Sequence, residues 1–76
     1  MTKPLDLKGL KCPLPVLRAK KALKGMTPGA LLEVLATDPG SVNDFQAFCE
    51  TTGDEMVSWS EVDGVYRYTL RKKSEN

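Results

Sequence analysis

The 76-residue chain has room for one domain, because a chain of this size buries only about 60% of its unfolded surface and cannot support two cores. Hydrophobic residues at 41% and charged residues at 28% are ordinary globular usage, and no run approaches the roughly 18 apolar residues of a transmembrane helix. A net charge of +1 lacks the basic excess of a phosphate-tracking module, so tight direct nucleic-acid binding is not expected. The absence of histidine removes Cys-His hydrolysis, histidine-ligated zinc and histidine base catalysis.

The first segment, MTKPLDLKG, has no apolar signal-peptide core, and a cytoplasmic protein is expected. Leu5 and Leu7 alternate with Asp6 and Lys8, the period of a half-buried strand that stops at Gly9. From Pro13 the period changes: Val16, Ala19, Leu23 and Met26 line one face of a helix that Gly25 ends. ALLEVLAT, bounded by Pro-Gly pairs, reads as a central strand. A second helix follows in GSVNDFQAFCETTG, with Ser41 and Asp44 in a capping arrangement and a stripe of Val42, Phe45, Cys49 and Thr52, beside Phe48, closed by Gly53. MVSWSEV and VYRYTLR flank Asp63-Gly64, the chemistry of a type I′ hairpin turn, and KKSEN reads as a frayed tail from about residue 72.

The order is therefore βαβαββ. A parallel pair with right-handed crossover and a closing antiparallel hairpin give an α+β two-layer sandwich, a mixed four-stranded sheet with two helices on one face.

Cys12 stands at the mouth of the first helix. Proline suits the first helical position because its missing N–H has no intrahelical partner there. This register makes Cys12 the N-cap, puts Pro13 and Pro15 at the first and third positions, and leaves Leu14 as the backbone donor nearest the sulfur. The helix dipole and the lysines Lys11 and Lys8 would favour a thiolate. Two readings stand at this point: an activated thiol, or a small residue where a helix happens to begin with prolines. Cys49, among Phe45 and Phe48, reads as core, and both cysteines are expected as free thiols. Leu14 and Leu17 point away from the apolar stripe, on the side of Lys21 and Lys24, a patch suited to docking an acidic-rimmed partner. Arg67 and Arg71 share the side of Val65 on the last strand, an open sheet face or a partner surface.

The segments LDLKGLK, Cys12-Pro13-Leu14-Pro15, TDPGSVNDFQAFC and the final DG-x-YRY-x-L-RK pattern resemble the small bacterial sulfur-carrier proteins related to TusA, also called SirA-like proteins. The similarity runs through nearly the whole chain, and its most specific element looks like the family's CPxP motif. The resemblance implies a single sulfur-carrier domain over residues 1–76, with the family's two-layer fold. It implies a persulfide relay in which Cys12 accepts sulfur from a pyridoxal-phosphate cysteine desulfurase and hands it to a downstream acceptor protein. The favoured destination is the 2-thio group of a tRNA wobble uridine; molybdenum-cofactor synthesis and sulfur oxidation are the other branches. Pro13 and Pro15 are the supporting motif residues, and Lys20 and Lys21 fall in the basic stretch that faces partners in the family, alongside Leu14 and Leu17. Some members carry an acid between the prolines, which makes Leu14 a position where branches differ. Asp38 matches a family acid, and an Asx-Pro turn explains it equally.

Sulfur transfer suits a histidine-free chain, since a thiolate attacks a persulfide sulfur and later leaves again, with no acid-base pair. The lack of CxxC fits as well, because a neighbouring thiol would discharge the persulfide as a disulfide. No cofactor, no membrane association and a free monomer are expected. The alternatives are a thiol enzyme acting alone, for which no resolving thiol is found, and a regulatory or nucleic-acid interaction module carried by the basic helix face.

Overall fold

The periodicities just described become six elements in a computed structural model, which describes residues 2–11 and 14–73. They are β1 (Thr2–Asp6), α1 (Leu14–Lys24), β2 (Leu31–Ala36), α2 (Ser41–Thr52), β3 (Glu55–Val62) and β4 (Val65–Arg71). The strands form one sheet in the order β1-β2-β4-β3. β1 runs parallel to β2, with Leu5 opposite Val34, while β4 pairs antiparallel with both β2 and β3. The mixed α+β sandwich expected from the sequence is the fold observed.

Burial follows the two periods. On β2, Leu32, Val34 and Ala36 are fully buried, whereas Leu31, Glu33 and Leu35 between them are only partly covered. On β4 the inward residues are Tyr68 and Leu70. Against that face pack Ala19 and Leu23 of α1 and Phe45, Phe48 and Cys49 of α2, so the core lies between the sheet and one helical layer. Arg67 and Arg71 therefore project from the open face, each beside a carboxylate: Arg67 Nε lies 4.0 Å from Glu33 and Arg71 Nη1 3.0 Å from Glu55. Both pairs are solvent-exposed and stabilise little.

Local chemistry departs from expectation in three places. Ser41 does not close a capping box with Asp44, because α2 has Gly40 at its N-cap and no side-chain cap. The Ser41 hydroxyl instead shares a buried 2.6 Å hydrogen bond with the Tyr68 hydroxyl. A buried phenol needs a partner more than an exposed helix terminus does, since water serves the latter. Second, Pro15 is fully buried, so its ring is a core component as well as a helix starter. Third, Lys72 and Lys73 are not frayed: Lys72 exchanges backbone hydrogen bonds with Gly29 and Ala30, and the Lys73 N–H donates to Asp54 Oδ1 at 2.7 Å. The other tail residues, 74–76, lie outside the described residues. The hairpin turn is as expected, with φ of 51° at Asp63 and 81° at Gly64.

Cys49 is 9% exposed. Burial, helped by the Asp54 carboxylate, pushes its thiol from 9.0 to about 11, and burial also raises Tyr68 against the lowering effect of its Ser41 hydrogen bond. Two outcomes follow for urea denaturation. Tyr68→Phe strands the Ser41 hydroxyl and should cost about 1–3 kcal/mol, part of which Ser41→Ala restores in the double variant by removing the orphaned group. Both acids keep their protons to higher pH in the folded chain than in the unfolded one, so the Cys49 contribution is complete below about pH 9 and is lost as pH rises toward about 11, while that of Tyr68 is complete below its ordinary 10.0 and is lost above it. Cys49→Ala should show a shallower decline over that range.

Candidate functional site

Cys12 and Pro13, the reactive thiol and first motif proline of the sequence reading, lie outside the described residues. Their mount is described on both sides. Upstream, β1 continues its ladder one residue past Asp6, with the Leu7 N–H donating to Leu35 O at 2.8 Å. Leu7 is buried, Leu10 packs against the core, and the Leu10 N–H returns to Leu7 O at 3.2 Å, closing a turn. Gly9 holds φ of +87°, and a Cβ there would touch nothing, so backbone conformation rather than space requires glycine. The Gly9 N–H donates to Thr37 Oγ1 at 2.9 Å, tying this loop to the one that leads into α2.

Downstream, α1 begins at Leu14, whose N–H donates to Lys11 O at 2.9 Å. The amide expected to face the sulfur is thus already engaged. Lys8 also contributes less than expected, because its ammonium lies 3.8 Å from Asp6 Oδ2 and its charge is shared there. Of the two lysines invoked for the thiol, exposed Lys11 remains, next to it in sequence. The clefts beside this mount differ in character. Gly9, Leu10, Lys11, Thr37, Asp38 and Pro39 line a space of about 360 Å³ directly before Cys12. Asp38 there accepts the Gly40 N–H at Oδ1 and the Ser41 N–H at its carbonyl, the Asx-type turn that leads into α2.

The docking residues divide. Leu14 and Leu17 are 42% and 53% exposed, large apolar side chains on the surface of α1. Leu17 and Lys20 line a groove of about 350 Å³ between the helices, with Val16 opposite Asp44, Ala47 and Phe48. Leu14 and Lys21 are exposed outside that groove. The helical wheel set Leu17 with Lys21, but closing the groove takes α2, which places Lys20 there instead. An adjoining cleft of about 270 Å³ gathers Lys20, Lys24, Lys72 and Lys73 around Asp54. Sequence reasoning missed Lys72 and Lys73 by assigning them to a tail. Thr37 was missed too, because nothing local marks a hydroxyl that serves a loop 28 residues away.

Cys49 is no second nucleophile at neutral pH. It is buried, and its raised pKa leaves it a thiol. Among the described residues no group of three potential metal ligands converges, and no helix is long and apolar enough to cross a membrane.

Known proteins share this sequence and architecture. Residues 3–72 match the family described as Sulfurtransferase TusA. The chain is 52% identical over 68 residues to the sulfur carrier protein TusA of Allochromatium vinosum, covering 90% of each. It is 42% identical over 71 residues to the TusA of Pseudomonas aeruginosa, covering 93% of this chain and 90% of the other. The crystal structure of a SirA-like protein from Desulfitobacterium hafniense superposes with a TM-score of 0.80 at 33% identity, covering 97% of this chain and all of that one. With the CPxP segment inside the matched span and the same two-layer fold around it, the chain belongs to the TusA family of sulfur carriers.

Proposed function

We propose that Cys12 is the sulfur-bearing residue and that this chain, over residues 1–76, is one cytoplasmic carrier domain. It takes sulfane sulfur from a cysteine desulfurase and passes it to an acceptor protein, ultimately toward tRNA 2-thiouridine. The observation that carries this reading is the contrast between the two cysteines. Cys49 is buried with a raised pKa, whereas Cys12 belongs to a CPxP segment anchored by Leu7 and Leu10 on one side and by buried Pro15 on the other.

The transfer balances without a further reactant. The Cys12 thiolate attacks the terminal sulfur of the donor's persulfide; the donor's S–S bond breaks, its thiolate leaves, and a persulfide forms on Cys12. Delivery repeats the step with Cys12 as the leaving thiolate. Both steps are redox-neutral exchanges, so the carrier needs an accessible sulfur and a docking face rather than a general base. Leu14, Leu17, Lys20 and Lys21 supply that face, and Pro13 and Pro15 hold the start of the helix.

Incubation with a cysteine desulfurase and cysteine, followed by intact mass measurement, is expected to add one sulfur atom. The gain should vanish in Cys12→Ser and persist in Cys49→Ala; a gain that maps to Cys49 would overturn the assignment. For docking, Leu17→Asp combined with Lys20→Glu should slow loading roughly tenfold while leaving the unfolding midpoint nearly unchanged, because both side chains are exposed on the helix surface. Unchanged loading would remove those residues from the partner surface.

A further inference from the structure

The net charge of +1 conceals a separation of charge along the chain. Between Gly25 and Tyr66 there is no lysine or arginine, yet that span holds all of the chain's ten acids except Asp6 and Glu75. Between Leu7 and Lys24 the reverse holds, with basic residues and no acid. The two spans form different elements: the basic one carries the loop before Cys12 and α1, and the acidic one makes β2, α2 and β3, meeting α1 along α2, where Lys20 shares a groove with Asp44.

β3 closes one edge of the sheet, paired only with β4. Three large apolar residues are exposed on it, Val57 at 41%, Trp59 at 44% and Val62 at 67%. A register shift between Met56 and Ser58 leaves Val57 out of the ladder. Edge strands are commonly guarded against self-pairing by bulges and charges, which accounts for the shift and for Glu55 and Glu61. It does not account for a half-exposed tryptophan. Trp59 lies opposite Tyr68, its ring stacked at 6.3 Å and 28°, and Tyr66 stacks on the same Tyr68 at 6.5 Å. Strand alternation puts Glu61 on the same side as Trp59, and Glu61 is held there by accepting the Gly64 N–H at 2.6 Å. Asp38 and Asp44 also raise the Tyr68 pKa by their charge, so the negative field of the head of α2 reaches this aromatic stack.

An exposed indole face in a negative field, on the side of the sheet opposite Arg67 and Arg71, is complementary to a guanidinium. Arginine stacks on tryptophan through cation–π attraction, and neighbouring carboxylates add to it. We propose that the β3 edge, centred on Trp59 and Glu61, is a docking surface for a basic partner protein that inserts an arginine side chain against Trp59. The surface is separate from the lysine-bearing face of α1, so the molecule offers opposite charge to two different partners. The proposal does not depend on sulfur chemistry at Cys12.

The test therefore uses the full chain carrying Cys12→Ser, with octa-arginine and octa-glutamate peptides as probes. Trp59 is the only tryptophan, so its emission reports on this edge directly. Octa-arginine should quench it saturably and octa-glutamate should not. By anisotropy of a labelled octa-arginine, Trp59→Thr and Glu61→Gln should each weaken binding about fivefold. Glu61→Gln keeps an acceptor for Gly64, which separates charge from hairpin structure. Lys21→Glu on the other face should not weaken binding. Equal affinities for parent, Trp59→Thr and Glu61→Gln would overturn the proposal. So would a concentration-dependent dimer whose formation is lost in Trp59→Thr, which would make a second copy the occupant of this edge.

Discussion

Tyr68 ties the molecule together. It sits at the centre of β4, flanked in the sheet by Val34 and Trp59, with its ring 4.7 Å from Phe45 of α2 and no exposed surface. Its hydroxyl reaches Ser41, the first residue of α2, so one side chain fixes both the depth and the end of that helix against the sheet. From there the constraint passes through short links. Asp38 turns the chain into α2, Thr37 beside it holds the Gly9 amide, and Gly9 lies three residues before Cys12. The loop at Gly9 is thus positioned by hydrogen bonds that trace back to a buried phenol on a central strand.

A carrier of group-transfer chemistry must keep one thiol available and any other thiol inert. Here the distinction rests on surroundings rather than on added machinery. Cys49 is enclosed by the core beside Phe45 and Phe48, where a thiolate would lose its hydration. The chain is anchored in the core on either side of Cys12, by Leu7 before it and by Pro15 in the first turn of α1. A sulfur carrier can thus be built without histidine and without a CxxC pair.

Elements with a clear period were legible in the sequence. Alternation over β1, the unbroken apolar run of β2 between Pro-Gly pairs, three-and-four spacing over both helices, and the Asp63-Gly64 turn determined the architecture, and exposed Leu14 and Leu17 followed from the helical wheel. What could not be read were tertiary choices between equivalent local options. Ser41 has the residue type of a cap, yet it faces a phenol 27 positions away. Lys72 and Lys73 have the composition of a tail, yet the loop before β2 and the Asp54 carboxylate provide partners for their backbone groups. Leu14 was expected to offer its amide outward, but the tighter first turn gives it to Lys11. Trp59 drew no notice in a hairpin pattern, because alternation does not say which strand will be left at an edge.

The register of the sheet sets where the chain enters and leaves. Leu31 is paired with Thr2 on one side and Arg71 on the other, so the beginning of β1 and the end of β4 lie together at one end of the sheet. The chain leaves β1 toward Gly9 and Leu10 at the opposite end, where Asp6 pairs with Leu35, four residues along the strand and therefore roughly 13 Å away. A domain joined to either terminus would extend from this end of the sheet, away from the loop at Gly9. The topology thus makes the unit suited to fusion: it can be appended to, or placed between, larger domains without rebuilding the loop that Thr37 holds at Gly9.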